Sequence, residues 1–253
     1  MIERIIQIAG TMILKGPEEI HGKIGLANFV TNRDAQIQNY LISQISTLYS
    51  DAHFFGEEDT EKNDKQTVGH CFFIDPIDGT TNYIFGYQHS CVSIGEAIDG
   101  RLIAGWIYNP FTEQMWSARR GEGAWLNGNR ITVDDRELKD GVVAFGCARY
   151  NEGDTDTLFS IVKECYLNSL SVRNGGSAAI DLARVASSAN VAYIELFLQP
   201  YDYAAASIII EEAGGVIIQT DGAPITIGRG CSILAGTPTA VKQIQTIIKK
   251  WRS

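Results

Sequence analysis

The segment that most constrains this chain is an acidic turn that follows a short apolar run. Residues 71–74 (CFFI) are typical of a buried strand, and they lead directly into residues 75–82 (DPIDGTTN). We therefore expect Asp75 at the mouth of the strand. Pro76 fixes φ and turns the chain, which predicts that Asp78 comes back beside Asp75. Two adjacent carboxylates offer the oxygen ligands that Mg²⁺ prefers, and a bound metal relieves their repulsion.

The residues after these carboxylates favour a phosphate site. Gly79 allows the backbone to approach a ligand closely, and Thr80 and Thr81 add hydroxyl groups beside free N–H groups. If a helical turn begins here, its first amides bind anions. The alternative interpretation is an Asp-rich turn with ordinary side-chain to backbone hydrogen bonds. That alternative suits an isolated pair of aspartates better than it suits the whole segment.

Two other segments supply acids. Residues 54–59 (FFGEED) place three acids directly after aromatic residues, so at least one acid is expected at the end of an element near the core, with a solvated acidic loop as the alternative. Asp202 precedes a run of small residues and is predicted to cap a helix, a role that would explain it without any ligand. Gly214 follows this helix as a C-cap.

Charge and composition limit the partners and the cellular compartment that we expect for this chain. The chain of 253 residues is 45% hydrophobic, and its formal net charge of −9 disfavours a nucleic acid partner. An acidic protein that holds an anionic substrate needs local cations, and a divalent metal is the usual source. The five cysteines form no C-x-x-C pair, which favours reduced thiols in a cytoplasmic protein. No apolar run approaches the roughly 20 residues of a membrane span, and the N-terminus does not fit a signal peptide.

Periodicity and turn residues predict a layered fold. Residues 15–32 are glycine-punctuated and predict a mobile loop or an irregular hairpin. The predicted helices are 2–14, 35–49, 155–166, 177–188 and 203–213, with a final helix from Thr237 and Pro238. The predicted strands are 71–74, 90–97, 101–108, 142–146, 191–197, 216–220 and 232–235. Hairpin turns are predicted at 99–100 and 127–128. This mixture predicts α/β layers with mixed sheets in a single domain, 1–253, with subdomains 1–140 and 141–253 as an alternative.

Three blocks of residues together resemble the inositol monophosphatase family. They are residues 56–58 (GEE), residues 75–82, and Asp202 with residues 204–205 and 212–215, and they occur in the family's order and approximate spacing. Residues 31–34 (TNRD), 176–179 (GSAA) and 193–195 (YIE) extend the resemblance over roughly the whole chain. The resemblance implies an α/β/α/β/α sandwich, a homodimer, and a lithium-sensitive phosphatase with two or three Mg²⁺ ions at the substrate phosphate.

The resemblance also implies a role for individual residues. The metal ligands would be Glu57, Asp75, the Ile77 carbonyl, Asp78 and Asp202, with Asp75 shared by two ions and Glu57 reaching a third. Thr80, paired with Asp34, would help Glu57 to orient and deprotonate the attacking water. The substrate contacts would be the Gly79 and Thr80 amides, Ser177, Ala178, Glu195 and Asp202. Lys23 falls where the family has a mobile active-site loop, and a solvated surface lysine is the alternative.

The most specific prediction is hydrolysis of inositol 1-phosphate by water that the metal activates. Residues 201–206 (YDYAAA) depart from the family's W-D-x-A-A-G without removing a metal ligand. Fructose 1,6-bisphosphate, NADP, 3′-phosphoadenosine 5′-phosphate and histidinol phosphate remain alternative substrates, and a catalytically silent binding protein is an alternative from another class. An aspartyl-nucleophile phosphatase is disfavoured because Pro76 occupies the nucleophile's position. A P-loop nucleotide site is disfavoured because its motif is lacking. A zinc site is disfavoured because the four histidines show no zinc-ligand pairing.

Overall fold

A computed structural model of the chain describes residues 1–18, 20–22, 29–59, 67–147 and 155–251. The helices in these residues are α1 (Ile2–Ile13), α2 (Asn32–Ser46), α3 (Thr80–Ile84), α4 (Thr155–Asn168), α5 (Ala178–Ala186), α6 (Pro200–Glu212) and α7 (Pro238–Trp251), with a 3₁₀ turn at Leu138–Asp140. The strands are β1 (Ile20–Gly22), β2 (Phe29–Thr31), β3 (His53–Gly56), β4 (His70–Asp78), β5 (Cys91–Ile98), β6 (Arg101–Asn109), β7 (Gln114–Arg119), β8 (Gly123–Leu126), β9 (Asn129–Ile131), β10 (Val142–Phe145), β11 (Ser171–Arg173), β12 (Ala192–Leu198), β13 (Val216–Ile218) and β14 (Cys231–Gly236).

The larger sheet is built mainly from hairpins. Its strand order is β3-β4-β5-β6-β7-β8-β9, and every pair is antiparallel except β3 with β4. The two predicted hairpin turns are confirmed. Asp99 and Gly100 have φ values of 49° and 76°, and Asn127 and Gly128 have 50° and 76°, as tight two-residue turns require. Strand β7 between them was not predicted.

The smaller sheet is mixed. Its order is β11-β10-β12-β14-β13, with β10 parallel to both β11 and β12, and β14 antiparallel to β12 and β13. Its parallel strands are joined through helices, as parallel connections require. The larger sheet lies between residues 53 and 131 and the smaller between 142 and 236. Independent subdomains remain a prediction.

The helices form three layers around the two sheets. Residues of α1 and α2 pack in one apolar cluster with the outer face of the larger sheet. Residues of α5 and α6 form the central cluster between the sheets, and α7 with part of α4 packs against the smaller sheet. The predicted α/β/α/β/α sandwich is therefore confirmed. Because α6 is buried between two sheets, its small residues Ala204, Ala205 and Ala206 are fully enclosed.

The predicted end of β4 and the predicted start of α6 were both wrong. Strand β4 continues through Asp78 instead of ending at Asp75, because Pro76 lies within a shift in the pairing of β4 with β5. Helix α6 begins at Pro200, and Gln199 is its N-cap. Asp202 is therefore not the cap, but the third residue of the helix, whose carboxylate accepts a hydrogen bond from the N–H of Gln199 at 2.7 Å.

The described residues of the glycine-punctuated stretch before α2 include two paired strands. Strands β1 and β2 pair antiparallel, with Ile20 opposite Thr31. Lys23 lies outside the described residues, so its predicted role remains a prediction. Helix α2 begins at Asn32, three residues earlier than predicted, because Thr31 and Asp34 form a capping box.

Candidate active site

The two aspartates of β4 reach the same cavity because the strand is irregular. Residues three apart on a regular strand point to opposite faces of the sheet. Here the pairing register of β4 with β5 shifts between Asp75 and Asp78, around Pro76, which has no N–H to pair. Both aspartates are buried and line a cavity of about 400 Å³. The predicted juxtaposition is confirmed, although a bulge produces it and not the end of the strand.

Other elements bring two more carboxyl groups to this cavity. Asp202 enters from the first turn of α6, and oxygen atoms of Asp75, Asp78 and Asp202 all lie within 4.8 Å of one another. Glu57 follows β3 directly, lines the same cavity, and makes a side-chain contact with Asp75. The predicted acid at the end of an element is thus confirmed as Glu57.

Each of the three clustered aspartates has one oxygen fixed by a backbone N–H group. These hydrogen bonds orient the carboxylates. The bonds are Ile77 N–H to Asp75 Oδ1 at 3.0 Å, Ala179 N–H to Asp78 Oδ2 at 2.9 Å, and Gln199 N–H to Asp202 Oδ2 at 2.7 Å. The Ser177 hydroxyl also donates to Asp78.

The charges in this site need a cation. Burial raises the pKa of Asp75 well above its ordinary value, and the negative charges of Glu57, Asp78 and Asp202 raise it further. Burial and then the charge of Asp78 raise the pKa of Asp202 in the same way. Burial also raises the pKa of Asp78, although its bonds from Ser177 and Ala179 oppose the shift. The residues described around the cavity include no lysine or arginine. This oxygen-only, buried and uncompensated set fits Mg²⁺.

The predicted phosphate turn borders the carboxylates. Gly79 has a φ of 88°, and a side chain on it would come within 3.0 Å of the Gly176 and His89 carbonyl oxygens. The position therefore requires glycine. Helix α3 begins immediately afterwards at Thr80, so the first N–H groups of this turn have no partners within the helix.

Thr80 and Asp34 also meet, as predicted. The Thr80 hydroxyl lies 3.4 Å from Asp34 Oδ1 and 3.1 Å from the Ile77 carbonyl oxygen, and it can donate to only one of them at a time. Asp34 is fully buried, and its other oxygen accepts bonds from the N–H and hydroxyl of Thr31 at 2.8 and 2.6 Å. The capping box of α2 thus fixes the carboxylate beside Thr80.

The opposite wall carries the predicted contacts to the alcohol part of a substrate. Ser177, Ala178 and Glu195 all line the cavity. The Ser177 hydroxyl is committed to Asp78 and to capping α5, where it accepts from Ile180 N–H at 3.4 Å. Glu195 is buried and accepts a hydrogen bond from the hydroxyl of Tyr193.

Sequence reasoning missed several residues of the cavity. Tyr193 precedes Glu195 by two residues on a strand, so their shared face could have been inferred. Asp181 lies one helical turn after Ser177; its carboxylate accepts the Gly175 N–H at 3.0 Å and is 3.4 Å from His89 Nε2. Cys147 also lines the cavity, and no motif pointed to it.

The comparisons with known proteins agree with this geometry. Residues 4–251 match the profile of the inositol monophosphatase family. Inositol monophosphatase 1 of Mus musculus is 33% identical over 93% of this chain and 88% of its own length, and Nus factor SuhB of Escherichia coli K12 is 34% identical over 94% and 91%. SaIMPase-II has a crystal structure with inositol monophosphate bound, similar at 28% identity and a TM-score of 0.84 over 99% of this chain and 93% of that one. A second, with 2′AMP bound, is similar at 29% identity and a TM-score of 0.83 over 96% and 91%.

Proposed function

The chain belongs to the inositol monophosphatase family of phosphatases, and from this premise we propose that it hydrolyses inositol 1-phosphate in a Mg²⁺-dependent reaction. One observation carries the proposal: oxygens of Asp75, Asp78 and Asp202 lie within 4.8 Å of one another, next to the turn at Gly79. A cation site and an anion site therefore share one cavity, which suits a phosphate ester that is held by metal ions.

The proposed metal ligands are the predicted ones. Glu57, Asp75 and the Ile77 carbonyl would hold one Mg²⁺, and Asp75, Asp78 and Asp202 would hold a second, with Glu57 reaching a third. Bound Mg²⁺ would make a water molecule acidic and would offset the charge on the phosphate oxygens. The fixed oxygen of each aspartate supports the assignment, because pre-oriented ligands lose little conformational freedom on binding.

The chain's own groups would position and deprotonate the attacking water. If the Thr80 hydroxyl donates to Asp34 instead of to Ile77, its oxygen is free to accept a hydrogen from the water. Asp34 suits this role because its other oxygen is already saturated by Thr31. Glu57 would take the proton of the water, since it lines the cavity and contacts Asp75.

The remaining predicted residues would hold the substrate. The Gly79 and Thr80 amides would bind phosphate oxygens, and Asp202 would lie beside the ester. Glu195 would accept hydrogen bonds from hydroxyl groups of the alcohol, with Ala178 beside it. The engagement of Ser177 with Asp78 supports a role in orienting that carboxylate as well as its predicted contact with the substrate.

The choice of ester is the finer part of the proposal. SaIMPase-II has been crystallised with inositol monophosphate and with 2′AMP, and relatives named inositol monophosphatase and Nus factor SuhB are about equally similar to this chain. Similarity alone therefore does not select one ester. We propose a broad substrate range, with inositol 1-phosphate preferred over the other phosphate esters of the superfamily.

The proposed cellular setting rests on the resemblance, on the cysteine usage and on the net charge. We propose a cytoplasmic homodimer that is inhibited by lithium and does not bind nucleic acid. All five cysteines are free thiols, which supports a reducing compartment. Among the described helices, none is long and apolar enough to cross a membrane.

A panel of esters tests the proposed function directly. Phosphate release would be measured from inositol 1-phosphate, 2′AMP, fructose 1,6-bisphosphate and an aryl phosphate, with added Mg²⁺ and with excess chelator. We expect release from several esters, fastest from inositol 1-phosphate, and none with the chelator. Full turnover after confirmed metal removal would refute the metal mechanism, and turnover of a single ester would refute the broad range.

A further inference from the structure

Helix α2 packs against the turn that carries Glu57 and forms hydrogen bonds with it. Residues 57–59 follow β3, which ends at Gly56, and Gln38 of α2 is buried against this turn. We propose that Gln38, together with Asp59, is a positioning residue that fixes Glu57 at the metal site. The inference rests on the proposed function, because it assigns Glu57 to Mg²⁺, and it adds a residue to which the family resemblance gave no role.

The amide of Gln38 is used at both ends. Its Oε1 accepts the N–H of Glu58 at 3.0 Å, and its Nε2 donates to Asp59 Oδ1 at 3.1 Å. Asp59 links this pair back to the turn, because its Oδ2 accepts the N–H of Gly56 at 3.1 Å. The two residues that flank Glu57 therefore have their N–H groups bound to Gln38 and Asp59. Such paired hydrogen bonds fix both the distance and the orientation of the turn.

The contact is also tight in space. A side chain on Gly56 would place its Cβ 2.3 to 2.5 Å from the amide atoms of Gln38, so any larger residue at position 56 would displace that amide. On its other side the turn is bound to the sheet, where Glu57 N–H donates to the Ile74 carbonyl at 3.1 Å. Glu57 therefore lies between a helix and a strand that both restrain its backbone.

Helix α2 thus positions two proposed catalytic groups at once. Asp34 and Gln38 are four residues apart, both are buried, and residues at this spacing share one face of a helix. Asp34 contacts Thr80, and Gln38 contacts the turn of Glu57. The mutual position of Thr80 and Glu57 is therefore set by one rigid element that itself contributes no proposed metal ligand.

An exchange of the two polar groups tests the inference. Gln38→Glu keeps the size of the side chain but sets a carboxylate against that of Asp59. Asp59→Asn leaves one side chain oxygen for two donors, the Gln38 amide and Gly56 N–H. The double variant Gln38→Glu/Asp59→Asn restores a donor and acceptors at every position and keeps the pair's net charge. Asn39→Asp, on the exposed side of α2, is the control for added charge.

The measurement is Mg²⁺ binding by titration calorimetry, with unfolding temperature recorded alongside. Each single variant should weaken Mg²⁺ binding roughly tenfold, as substitutions that support a metal ligand do. The double variant should recover to within about twofold of wild type, and Asn39→Asp should bind as wild type does. Recovery by exchange separates positioning from a general loss of packing, which a second substitution would worsen.

Several results would overturn the inference. Wild-type Mg²⁺ affinity in Gln38→Glu would show that Glu57 does not depend on Gln38. If Gln38→Glu does not fold, the double variant decides the question. Weakened Mg²⁺ binding in a folded double variant would contradict the inference, and recovered Mg²⁺ binding in it would support the inference. Failure of the proposed function looks different: wild type would release no phosphate from any ester while still binding Mg²⁺. A wild type that binds no Mg²⁺ would refute both.

Discussion

The two walls of the cavity are built in different ways. On the acidic wall, formed by Asp75, Asp78 and Asp202, every carboxylate is fixed by a backbone N–H group. On the wall of β12, a polar contact joins two side chains, the Tyr193 hydroxyl and Glu195. Backbone geometry is shared by any sequence that adopts the fold, whereas side-chain pairs change with single substitutions. The acidic wall should therefore determine the reaction and the β12 wall the choice of alcohol.

Asp78→Asn tests the acidic wall most severely. The variant keeps the shape of the side chain and an oxygen for its donors Ser177, Ala179 and Cys91, but it removes an anionic ligand. We expect turnover of every ester to fall by more than about a hundredfold, since even substitutions behind a metal ligand cost ten- to a hundredfold. Asp156→Asn, an exposed acid in α4, is the control. A variant with wild-type kinetics and an intact fold would place the site elsewhere.

Removal of the metal should make stability depend on pH through the same wall. Burial and neighbouring charges raise the pKa values of Asp75 and Asp202 above those of the unfolded chain. Between the unfolded and folded pKa values the native state binds more protons than the unfolded state, so the metal-free protein should lose stability as pH rises through this window. Mg²⁺ favours the ionised carboxylates, and its stabilisation should therefore increase with pH.

Urea unfolding with and without Mg²⁺ measures this effect. A Mg²⁺ concentration of a hundred times the Kd at pH 7.5 should raise the free energy of unfolding by about 2.7 kcal/mol at that pH. The same Mg²⁺ concentration should give a smaller gain at pH 5. Sodium chloride at matched ionic strength controls for screening. Equal stabilisation at both pH values would mean that these aspartates are not the groups that bind Mg²⁺.

Thr80→Ala should have a smaller effect than loss of a carboxylate. The threonine would orient the water without holding a metal, so we expect kcat to fall about ten- to a hundredfold with a smaller change in KM. Thr80→Ser retains the hydroxyl and should keep most of the activity, which separates the hydroxyl from the side-chain volume. If Thr80→Ala raised KM and left kcat unchanged, Thr80 would be a substrate contact and not part of the water-activating pair.

The sequence predicted that Asp75 and Asp78 lie together on the acidic wall, whereas on the β12 wall the contact between Tyr193 and Glu195 was missed. Asp75 and Asp78 are neighbours along the chain, so a short segment was enough to predict their juxtaposition. Even there, the bulge around Pro76 was wrongly predicted as a strand end, because register depends on the partner strand β5. Asp202 was wrongly predicted as a cap because Gln199 is an uncommon residue at that position.

Two contacts between distant residues were missed. Gln38 and Asp59 are 21 residues apart, and the Asp181 and His89 contact joins α5 to the loop before β5. Neither pair has a local pattern, because each depends on how α2 or α5 packs on a sheet. Periodicity predicts which face of a helix is buried, but it does not identify the residues that this face meets.

Glu195→Gln tests whether the β12 wall selects the alcohol. Glutamine can still accept the Tyr193 hydroxyl bond, but its NH₂ group cannot accept from a polyol. Loss of one such bond costs about 1 kcal/mol, or roughly fivefold in kcat/KM for inositol 1-phosphate. An aryl phosphate has no hydroxyl to lose and should change less than about twofold. Equal losses on both esters would show that Glu195 is structural, and the division of roles between the walls would fail.

Tyr193→Phe should give the smallest effect, in the same direction. It removes the hydroxyl that donates to Glu195 and keeps the buried ring, so Glu195 retains its charge but is less well oriented. We expect a two- to threefold loss on inositol 1-phosphate and little change on the aryl phosphate. In the double variant with Glu195→Gln, the loss should be smaller than the product of the two single losses, because Tyr193 would act only through Glu195. Independent, multiplying losses would assign Tyr193 its own contact with the substrate.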